Sequence, residues 1–322
     1  MSRPVVILAG FAALGAISLA LGLAAGSVRL PVSDIAAALM GHAPGPVGDI
    51  VLRVRLPRVL AGFACGGLLA LAGALLQVLL RNPLADPYVL GISGGAGLGL
   101  LAATSLGLGY AASQAAGMVG ALTAVLIVFG LSFGAADWNL YRLLLTGVVF
   151  SAGCGALISL ILLLAPETAV KGMLFWLLGD LSDATSAHWA WLALMVLGTL
   201  SVLGSGTLNV LGLGRSKAAS LGVPVRAAEV AIYIVASAAT VAAVTLAGPV
   251  GFVGLIVPHL VRLLGVTDYR WLIPSAMLAG GALLSLADTG ARSVWAPLQI
   301  PVGALTALLG VPVLFLLLAG RR

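Results

Sequence analysis

The chain has 322 residues, of which 61% are hydrophobic and 8% are charged, and its mean hydropathy is +1.19. A water-soluble domain carries roughly 25% charged residues and about 45–50% apolar ones, so this composition excludes a soluble globular fold. Lys and Arg number 16 against 10 Asp and Glu, and in so apolar a chain this excess indicates orientation in a lipid bilayer rather than nucleic-acid binding.

Apolar stretches of about 20 residues predict membrane-spanning helices, because lipid offers the backbone no hydrogen-bond partner. Ten such stretches predict an all-α, polytopic membrane protein. The first is interpreted as a retained helix rather than a signal peptide, since its apolar run exceeds the usual length of roughly 7–15 residues. The eighth is short and contains Pro258, which predicts a broken or steeply placed helix. The ten predicted spans are 4–26, 58–80, 89–108, 112–133, 142–165, 189–208, 227–247, 250–265, 272–291 and 302–320.

The distribution of positive residues predicts which side of the membrane each connection occupies. An even number of spans places both termini on one side, and cytoplasmic connections carry the excess of Lys and Arg. With cytoplasmic termini, ten positive residues are cytoplasmic and six are periplasmic, which favours this orientation. The cytoplasmic set is Arg3, Arg81, Arg142, Arg215, Lys217, Arg226, Arg262, Arg270, Arg321 and Arg322; the other set is Arg29, Arg53, Arg55, Arg58, Lys171 and Arg292.

Three connections are longer than a simple turn. The first, 27–57, contains VSDIAAALMG, a predicted surface helix capped by Ser33 or Asp34. The second, 166–188, carries few charges and no predicted domain. The longest cytoplasmic connection, 209–226, reads NVLGLGRSKAASLGVPVR.

The chain lacks the phosphate-binding loop G-x-x-x-x-G-K-[ST]. Its two lysines precede the wrong residues, since Lys171 is followed by Gly172 and Lys217 by Ala218. ATP hydrolysis would therefore require a separate subunit. We expect residues 1–322 to form a single transmembrane domain that is not an enzyme.

Charged residues within the spans are scarce. Asp288 and Arg292 are four residues apart in the ninth span and are predicted to pair along one helical face. No chain of acids crosses the membrane, which disfavours an ion-coupled carrier. Cys65 and Cys154 lie in apolar runs and are interpreted as buried packing residues. The three histidines follow no metal-ligand spacing, so no metal site is predicted.

One motif favours an enzyme. GISGG at 91–95 matches G-x-S-x-G, which in some hydrolases positions a nucleophilic serine. An intramembrane serine hydrolase using Ser93 and His259 is therefore the alternative function. The competing interpretation is structural, because Gly91, Gly95 and Gly99 are spaced four residues apart and form a stripe of small residues for close helix packing.

Several long motifs together resemble one family, the FecCD/BtuC-type permeases of ABC importers for iron chelates and cobalamin. They occur in the family's order and extend over essentially the whole chain. NPLADP and GFVGLIVPH are each long enough to be specific. The motifs are RLPRVLAGFACGGLLALAGALLQ (55–77), RNPLADPYVLGISGGAG (81–97), FWLLGDLS (175–182), SLGVPVR (220–226), GPVGFVGLIVPHLVRLLGVTDYRWLIP (248–274), LADTGAR (286–292) and LQIPVGALTALLGVPVLFLLL (298–318).

The resemblance implies a type II ABC importer permease fold of about ten helices in the bacterial inner membrane. It implies a homodimer around a central pathway, two ABC ATPase subunits that use ATP and Mg, and a periplasmic binding protein that delivers the ligand. The permease itself would bind no cofactor. The implied cargo is a large metal chelate, either haem or a ferric siderophore, with cobalamin as a further candidate. GDLS at 179–182 is similar to cobalamin-type members, but four residues do not decide the cargo.

The resemblance also implies three functional regions. Arg55, Arg58 and Arg292 would receive carboxylates of the binding protein, for which the planar guanidinium is well suited. Segment 209–226 would couple to the ATPase through a short helix ended by a C-cap glycine. Its implied contact residues are Arg215, Lys217, Ala218, Ala219, Ser220, Leu221 and Gly222. The cytoplasmic gate would be formed by Asn82 and Leu84, facing Leu140 and Tyr141, where some relatives carry small hydroxyl residues.

Overall fold

The computed structural model describes residues 3–26, 28, 30–42, 45–132, 140–184, 187–294, 296 and 298–319. These described residues form helices and connecting turns, without a strand. The helices are α1 (Arg3–Ala24), α2 (Val32–Leu39), α3 (Pro46–Asp49), α4 (Leu56–Leu79), α5 (Ile92–Ser105), α6 (Tyr110–Ser132), α7 (Leu140–Leu164), α8 (Glu167–Leu177), α9 (His188–Leu203), α10 (Ser205–Gly212), α11 (Arg215–Ser220), α12 (Val225–Ala247), α13 (Val253–Leu263), α14 (Tyr269–Ser293) and α15 (Val302–Ala319). A π-helical turn, Ile50–Arg55, joins α3 to α4, and a 3₁₀ turn, Pro87–Leu90, precedes α5.

Each of the ten predicted spans contains a helix, which confirms the all-α membrane fold. Within the described residues, 6 helical segments are long and apolar enough to cross a membrane, and a seventh span results if the bent pair α9–α10 is counted as one. The helices α5, α13 and α15 are shorter. The count of ten full-length spans is therefore approximate. Residues 29, 133 and 320–322, used in the predicted topology and span ends, lie outside the described residues.

Two predicted spans differ in detail from the structure. Span 189–208 was expected to be continuous, but the chain bends by 61° at Gly204, where α9 ends and α10 begins. Span 250–265 contains only the 11 residues of α13. The break expected at Pro258 lies instead before α13, where the backbone turns at Gly248 and Phe252. These two residues have positive φ angles of +65° and +71°.

Two connections also differ from expectation. The connection 166–188, for which no helix is predicted, contains the helix α8 over Glu167–Leu177. The surface helix at 32–39 is present as α2, but its N-cap is Pro31 and no side chain caps it. Ser33 and Asp34 therefore lie inside the first turn, where the Ser33 hydroxyl donates to Asp34 Oδ1 at 3.2 Å.

Helix α4 forms the centre of the bundle. In its apolar stretch of 18 residues, 94% of the residues are buried, and α9, α12, α13 and α14 pack around it. In contrast, only 11% of the residues in the corresponding apolar stretch of α7 are buried, and only 17% of those in α1. Apolar helices with such exposed faces require lipid or a partner helix, as expected of a membrane protein.

Glycines allow the central helices to touch backbone to backbone. A Cβ on Gly73 of α4 would lie 1.8 Å from the Gly254 carbonyl oxygen of α13. A Cβ on Gly66 would lie 2.1 Å from the Gly280 oxygen of α14. On α5, a Cβ on Gly95 would lie 2.4 Å from the Gly120 oxygen of α6. The glycine stripe of 91–99 is therefore a helix-packing surface, as its structural interpretation predicts.

Candidate functional sites at the two ends of the bundle

The Arg58 end of the bundle contains a buried charge cluster around Asp288. The Arg58 Nε donates to both Asp288 carboxylate oxygens at 3.1 and 3.0 Å, and Arg58 Nη2 donates to Oδ1 at 2.8 Å. Arg292 Nε lies 3.6 Å from Asp288 Oδ2, which confirms the pairing predicted from the four-residue spacing. The pairing with Arg58 could not be found from spacing, because the two residues are 230 positions apart.

A polar network continues from Arg58 into two turns. Arg58 Nη1 donates to the Ser182 hydroxyl at 3.3 Å and to Gln299 Oε1 at 3.2 Å. The Ser182 hydroxyl oxygen lies 2.8 Å from Asp180 Oδ1 and 2.9 Å from Gln299 Oε1, and its one hydrogen can be donated to either acceptor. The GDLS turn at 179–182 is therefore joined to the start of α4 and to the turn before α15.

Arg55 and Arg292 bind the end of α1. Arg55 donates to the carbonyls of Leu23 at 2.7 Å and Ala24 at 3.0 Å, and also to that of Val28. Arg292 donates to the Gly22 carbonyl. The last carbonyls of a helix have no intrahelical partner, and cations near them are stabilised by the helix dipole. These bonds fix α1 against α4 and α14.

The three predicted docking arginines are thus brought to one end of the molecule but are not displayed on its surface. Arg55, Arg58 and Arg292 are only 3, 7 and 8% exposed, and each has internal partners. Arg53 is the exposed cation nearby, with a side chain 82% accessible and a 3.0 Å contact to Asp49. Docking through the buried trio stays a prediction.

A cavity of about 580 Å³ opens beside this network. Tyr110 and Trp176 contribute aromatic surface, whereas Lys171, Asp180 and Gln299 contribute polar groups. A second cavity of about 420 Å³ shares the Tyr110 wall. The helix α8, missed by sequence analysis, provides much of the larger cavity.

The opposite end, here called the Asn209 end, contains the segment 209–226. The predicted helix is present as α11, and Gly222 follows it with a φ of +82° and an N–H bond to Ala219, as expected of a C-cap glycine. The surfaces differ from expectation at two positions. Ala218 is fully buried against the chain's own core, and Arg215 pairs with Glu229 of α12 at 3.2 Å.

The exposed face of α11 is consequently narrower than predicted. Lys217, Ala219, Ser220 and Leu221 are exposed, whereas Ala218 is unavailable to any partner. Glu229 was missed by sequence analysis because it lies in the first turns of a span, where its Arg215 partner is visible only in three dimensions. Contact of α11 with an ATPase stays a prediction.

Asn209 connects this segment to the turn between α13 and α14. Its Nδ2 donates to Asp268 Oδ1 at 2.8 Å, and its Oδ1 accepts the Tyr269 N–H at 2.9 Å. Asp268 is also the N-cap of α14, accepting the Arg270 N–H at 2.9 Å. The Asn209 bond and then the Arg270 N–H lower the pKa of Asp268, so its carboxylate is ionised at neutral pH.

The predicted gate residues lie at helix ends. Asn82 is exposed, and its Oδ1 accepts the Leu84 N–H at 2.9 Å, which turns the chain after α4. Leu140 begins α7 and packs partly against the core, whereas Tyr141 is 73% exposed. These positions fit a chain turn and a helix start, and their gating role stays a prediction.

Two non-helical segments meet inside the bundle. Tyr88 Oη accepts the Val250 N–H at 2.8 Å and donates to the Val250 carbonyl at 3.2 Å. Tyr88 precedes α5 and Val250 precedes α13, and both of these helices are short. One phenol thus satisfies backbone groups that lipid could not, which is how irregular backbone is tolerated inside a membrane protein.

The residues of the alternative hydrolase occupy packing positions. Ser93 lies in the first turn of α5, between Gly91, which packs against α7, and Gly95, which packs against α6, and His259 is buried in α13. Cys65 and Cys154 are buried, as predicted. No group of three or more His, Cys, Asp or Glu side chains that could hold a metal occurs in the part of the chain that the structure describes.

These features define a polytopic helical membrane protein with polar networks at both ends of an apolar bundle. Residues 14–320 match the FecCD transport family, and the chain belongs to that family of ABC transporter permeases. The family is not a catalytic one. Nothing in the comparisons supports a serine hydrolase.

Curated relatives match over most of their length. The ABC transporter permease protein YvrB of Bacillus subtilis (strain 168) is 35% identical, over 94% of this chain and 90% of the relative. The haemin transport system permease protein HmuU of Yersinia pestis is 38% identical, over 85% and 84%. The vitamin B12 import system permease protein BtuC of Escherichia coli O9:H4 (strain HS) is 37% identical, over 86% of both.

Solved structures give the same result. A transporter described as being of the metal-chelate ABC type, in an inward-facing conformation, superimposes with a TM-score of 0.86 at 28% identity, covering 98% of this chain and 99% of that one. PsaBC from Streptococcus pneumoniae, in complex with Fab, has a TM-score of 0.53 at 16% identity and is alike in fold alone.

Proposed function

We propose that this chain is the permease subunit of an ABC importer that moves a metal chelate from the periplasm into the bacterial cytoplasm. The observation that carries the proposal is the near-complete superposition on a transporter of the metal-chelate type, with a TM-score of 0.86. The relatives named for haemin and for vitamin B12 support the same class of cargo.

The proposed assembly contains a second copy of this chain, two ABC ATPase subunits and a periplasmic binding protein. Because neither lysine stands in a phosphate-binding loop, ATP and Mg are bound by the ATPases, and this chain binds no cofactor. The exposed apolar face of α7 offers surface to lipid or to the second copy, and the exposed face of α11 offers surface to an ATPase.

We place the Asn209 end in the cytoplasm and the Arg58 end in the periplasm, with the chain in the inner membrane. The excess of positive residues assigned to the cytoplasmic side supports this orientation, as does the coupling role proposed for 209–226. In this arrangement Asn82, Leu84, Leu140 and Tyr141 surround the cytoplasmic mouth and form the proposed gate, with residues fixed on helix ends that move as rigid bodies.

The proposed cargo is haem or a ferric siderophore, with cobalamin as a further candidate. The 580 Å³ cavity at the Arg58 end combines aromatic walls with polar groups, which suits a large ligand that has an apolar ring and a polar periphery.

A pull-down can test whether the buried arginines Arg55, Arg58 and Arg292 receive the binding protein or only stabilise the fold. If the trio receives carboxylates, Arg58→Glu weakens capture of the loaded binding protein in a pull-down, more so at low salt, and Arg53→Glu has the smaller effect. Arg58→Lys, with unfolding followed in parallel, controls for loss of structure. Loss of capture in Arg53→Glu, together with full capture by a folded Arg58→Glu protein, would show that the buried trio is structural and that the exposed Arg53 is a docking group.

Cargo is tested by reconstitution of the complete transporter in proteoliposomes, with its ATPase and binding protein. Haemin, ferrichrome and cyanocobalamin are offered separately, and internal ligand is measured with and without ATP. The proposal expects ATP-dependent uptake of haemin or ferrichrome. Uptake of cyanocobalamin alone would reassign the cargo within the class, and uptake of none of the three would contradict the proposed function.

A further inference from the structure

The geometry points to a clasp, formed by Asn209 with Asp268 and Tyr269, that makes the coupling segment and the transmembrane helices α13, α14 and α4 move together. This inference rests on the proposed function, since it assigns residues to the transmission of ATP-driven motion. Asn209 and Asp268 are positioning residues in this scheme, because they act through the helices they join.

The clasp has a defined orientation. A backbone N–H can only donate, so the Tyr269 N–H fixes the Asn209 carbonyl oxygen as its acceptor, at 2.9 Å. The Asn209 amide nitrogen must then point to Asp268 Oδ1, at 2.8 Å. One side chain of α10 thus bonds both a carboxylate and a backbone group at the first turn of α14.

From Tyr269 the connection continues into the bundle. Arg262 Nη2 of α13 donates to the Tyr269 hydroxyl at 3.0 Å, and Arg262 Nη1 donates to Gln77 Oε1 of α4. Gln77 Nε2 donates to the Leu255 carbonyl at 3.0 Å. An unbroken series of polar contacts therefore joins the coupling segment to the central helix.

Apolar packing also attaches α10 to the bundle, because Leu208 and Leu211 are buried in the core. A cavity of about 230 Å³ is nevertheless bordered by Gly212 on the coupling segment and by Gln77, Arg262 and Tyr269 on the bundle. The polar tether therefore supplements the apolar contacts of α10 at a place where packing is incomplete. At the other end of the segment, the Arg215–Glu229 ion pair provides a separate attachment to α12.

The clasp predicts that a variant can lose the coupling between ATP hydrolysis and transport while it keeps its ATPase subunits and their activity. Asn209→Ala should leave assembly intact and ATP hydrolysis within about twofold of wild type, while ligand transported per ATP falls at least about fivefold, because one ordinary hydrogen bond is worth about that factor and the variant loses two. Thr207→Ala, an exposed polar position on the same helix with no contact to the clasp, serves as the matched control and should match wild type.

Variants at Asp268 distinguish its two roles, which are the hydrogen bond to Asn209 in the clasp and the capping of α14. Asp268→Ser keeps an N-cap residue for α14 but is too short to reach Asn209, and should lower the transport ratio like Asn209→Ala. Asp268→Asn keeps the acceptor oxygen and should retain most of the ratio. Because the two residues act as one unit, the double variant Asn209→Ala/Asp268→Ser should be no worse than either single one.

The measurement is uptake and phosphate release in the same proteoliposomes, with haemin, ferrichrome or cyanocobalamin, whichever the wild-type complex transports. An unchanged ratio in Asn209→Ala or in Asp268→Ser, or a parallel fall of hydrolysis and uptake, overturns the clasp. Failure of the wild-type complex to transport any of the three probes is a different result, and it overturns the proposed function instead.

Discussion

Asp288 lies between two arginines that come from distant parts of the sequence. Its carboxylate accepts Arg58 of α4 through two nitrogens and lies 3.6 Å from Arg292 Nε of its own helix. All three side chains are at least nine-tenths buried. A buried charge is tolerated when it is paired and is costly when its partner is removed. Asp288 is therefore the residue on which the Arg58 end depends most.

Replacement of Asp288 should be strongly destabilising. Asp288→Ala leaves two buried guanidinium groups without their carboxylate, which costs about 3–5 kcal/mol. The matched control is Asp49→Ala, which breaks the exposed Arg53–Asp49 pair at a cost of about 0–1 kcal/mol. Thermal unfolding of the two variants in the same detergent compares them directly. Similar unfolding temperatures for both would contradict the structural role given to Asp288.

The helices of the core are held by close approach of backbone at glycines as well as by packing of large buried side chains such as Leu68 and Leu75 of α4. Gly66 meets Gly280 of α14, and Gly73, two turns further along nearly the same face of α4, meets Gly254 of α13. Lipid gives helices no hydrophobic reason to associate, so contact through small residues and van der Waals packing provides the attraction. The exposed helix α7 has glycines with open space around them, which shows that glycine content alone does not identify a contact.

Substitution by alanine, which adds one methyl group, distinguishes glycines at helix contacts from glycines in open space. Gly73→Ala places Cβ 1.8 Å from a carbonyl oxygen of α13, so the helices must separate, and overpacking of this kind costs about 1–3 kcal/mol or more. Gly153→Ala on α7 meets nothing within 4 Å and should be neutral or slightly stabilising. Monodisperse yield and thermal unfolding measure both effects. A Gly73→Ala protein as stable as the Gly153→Ala protein would mean that α4 and α13 are not in contact.

Sequence patterns predicted where helices occur better than where they break. Hydropathy located a helix in all ten predicted spans, because burial in lipid requires it. The break at Gly204 falls in the stretch GSG at 204–206, a local breaker signal that the hydropathy pattern hid, whereas the positive φ at Phe252, a non-glycine residue, has no local signal. The helix α8 was missed because its sequence is less hydrophobic than that of a membrane-spanning helix. Likewise, the Asp288–Arg292 pair follows from spacing, whereas the partners Arg58 and Glu229 required the fold.

At the scale of the whole molecule, the chain is a helical permease of the FecCD transport family. Its long motifs gave the family before the fold was known, and the family match over residues 14–320 confirms that membership. The two ends of the bundle differ in kind. The Arg58 end is tied by buried charges, and the Asn209 end is tied by exposed polar contacts to a segment suited to a soluble partner.

The most direct measurement compares the purified chain with the complete transporter in identical proteoliposomes loaded with ATP. Haemin, ferrichrome and cyanocobalamin are supplied outside with the binding protein, and accumulated ligand is followed over time. The proposed function predicts accumulation of at least one probe only when the ATPase is present, and none for the chain alone. Accumulation against a gradient by the chain alone would contradict it.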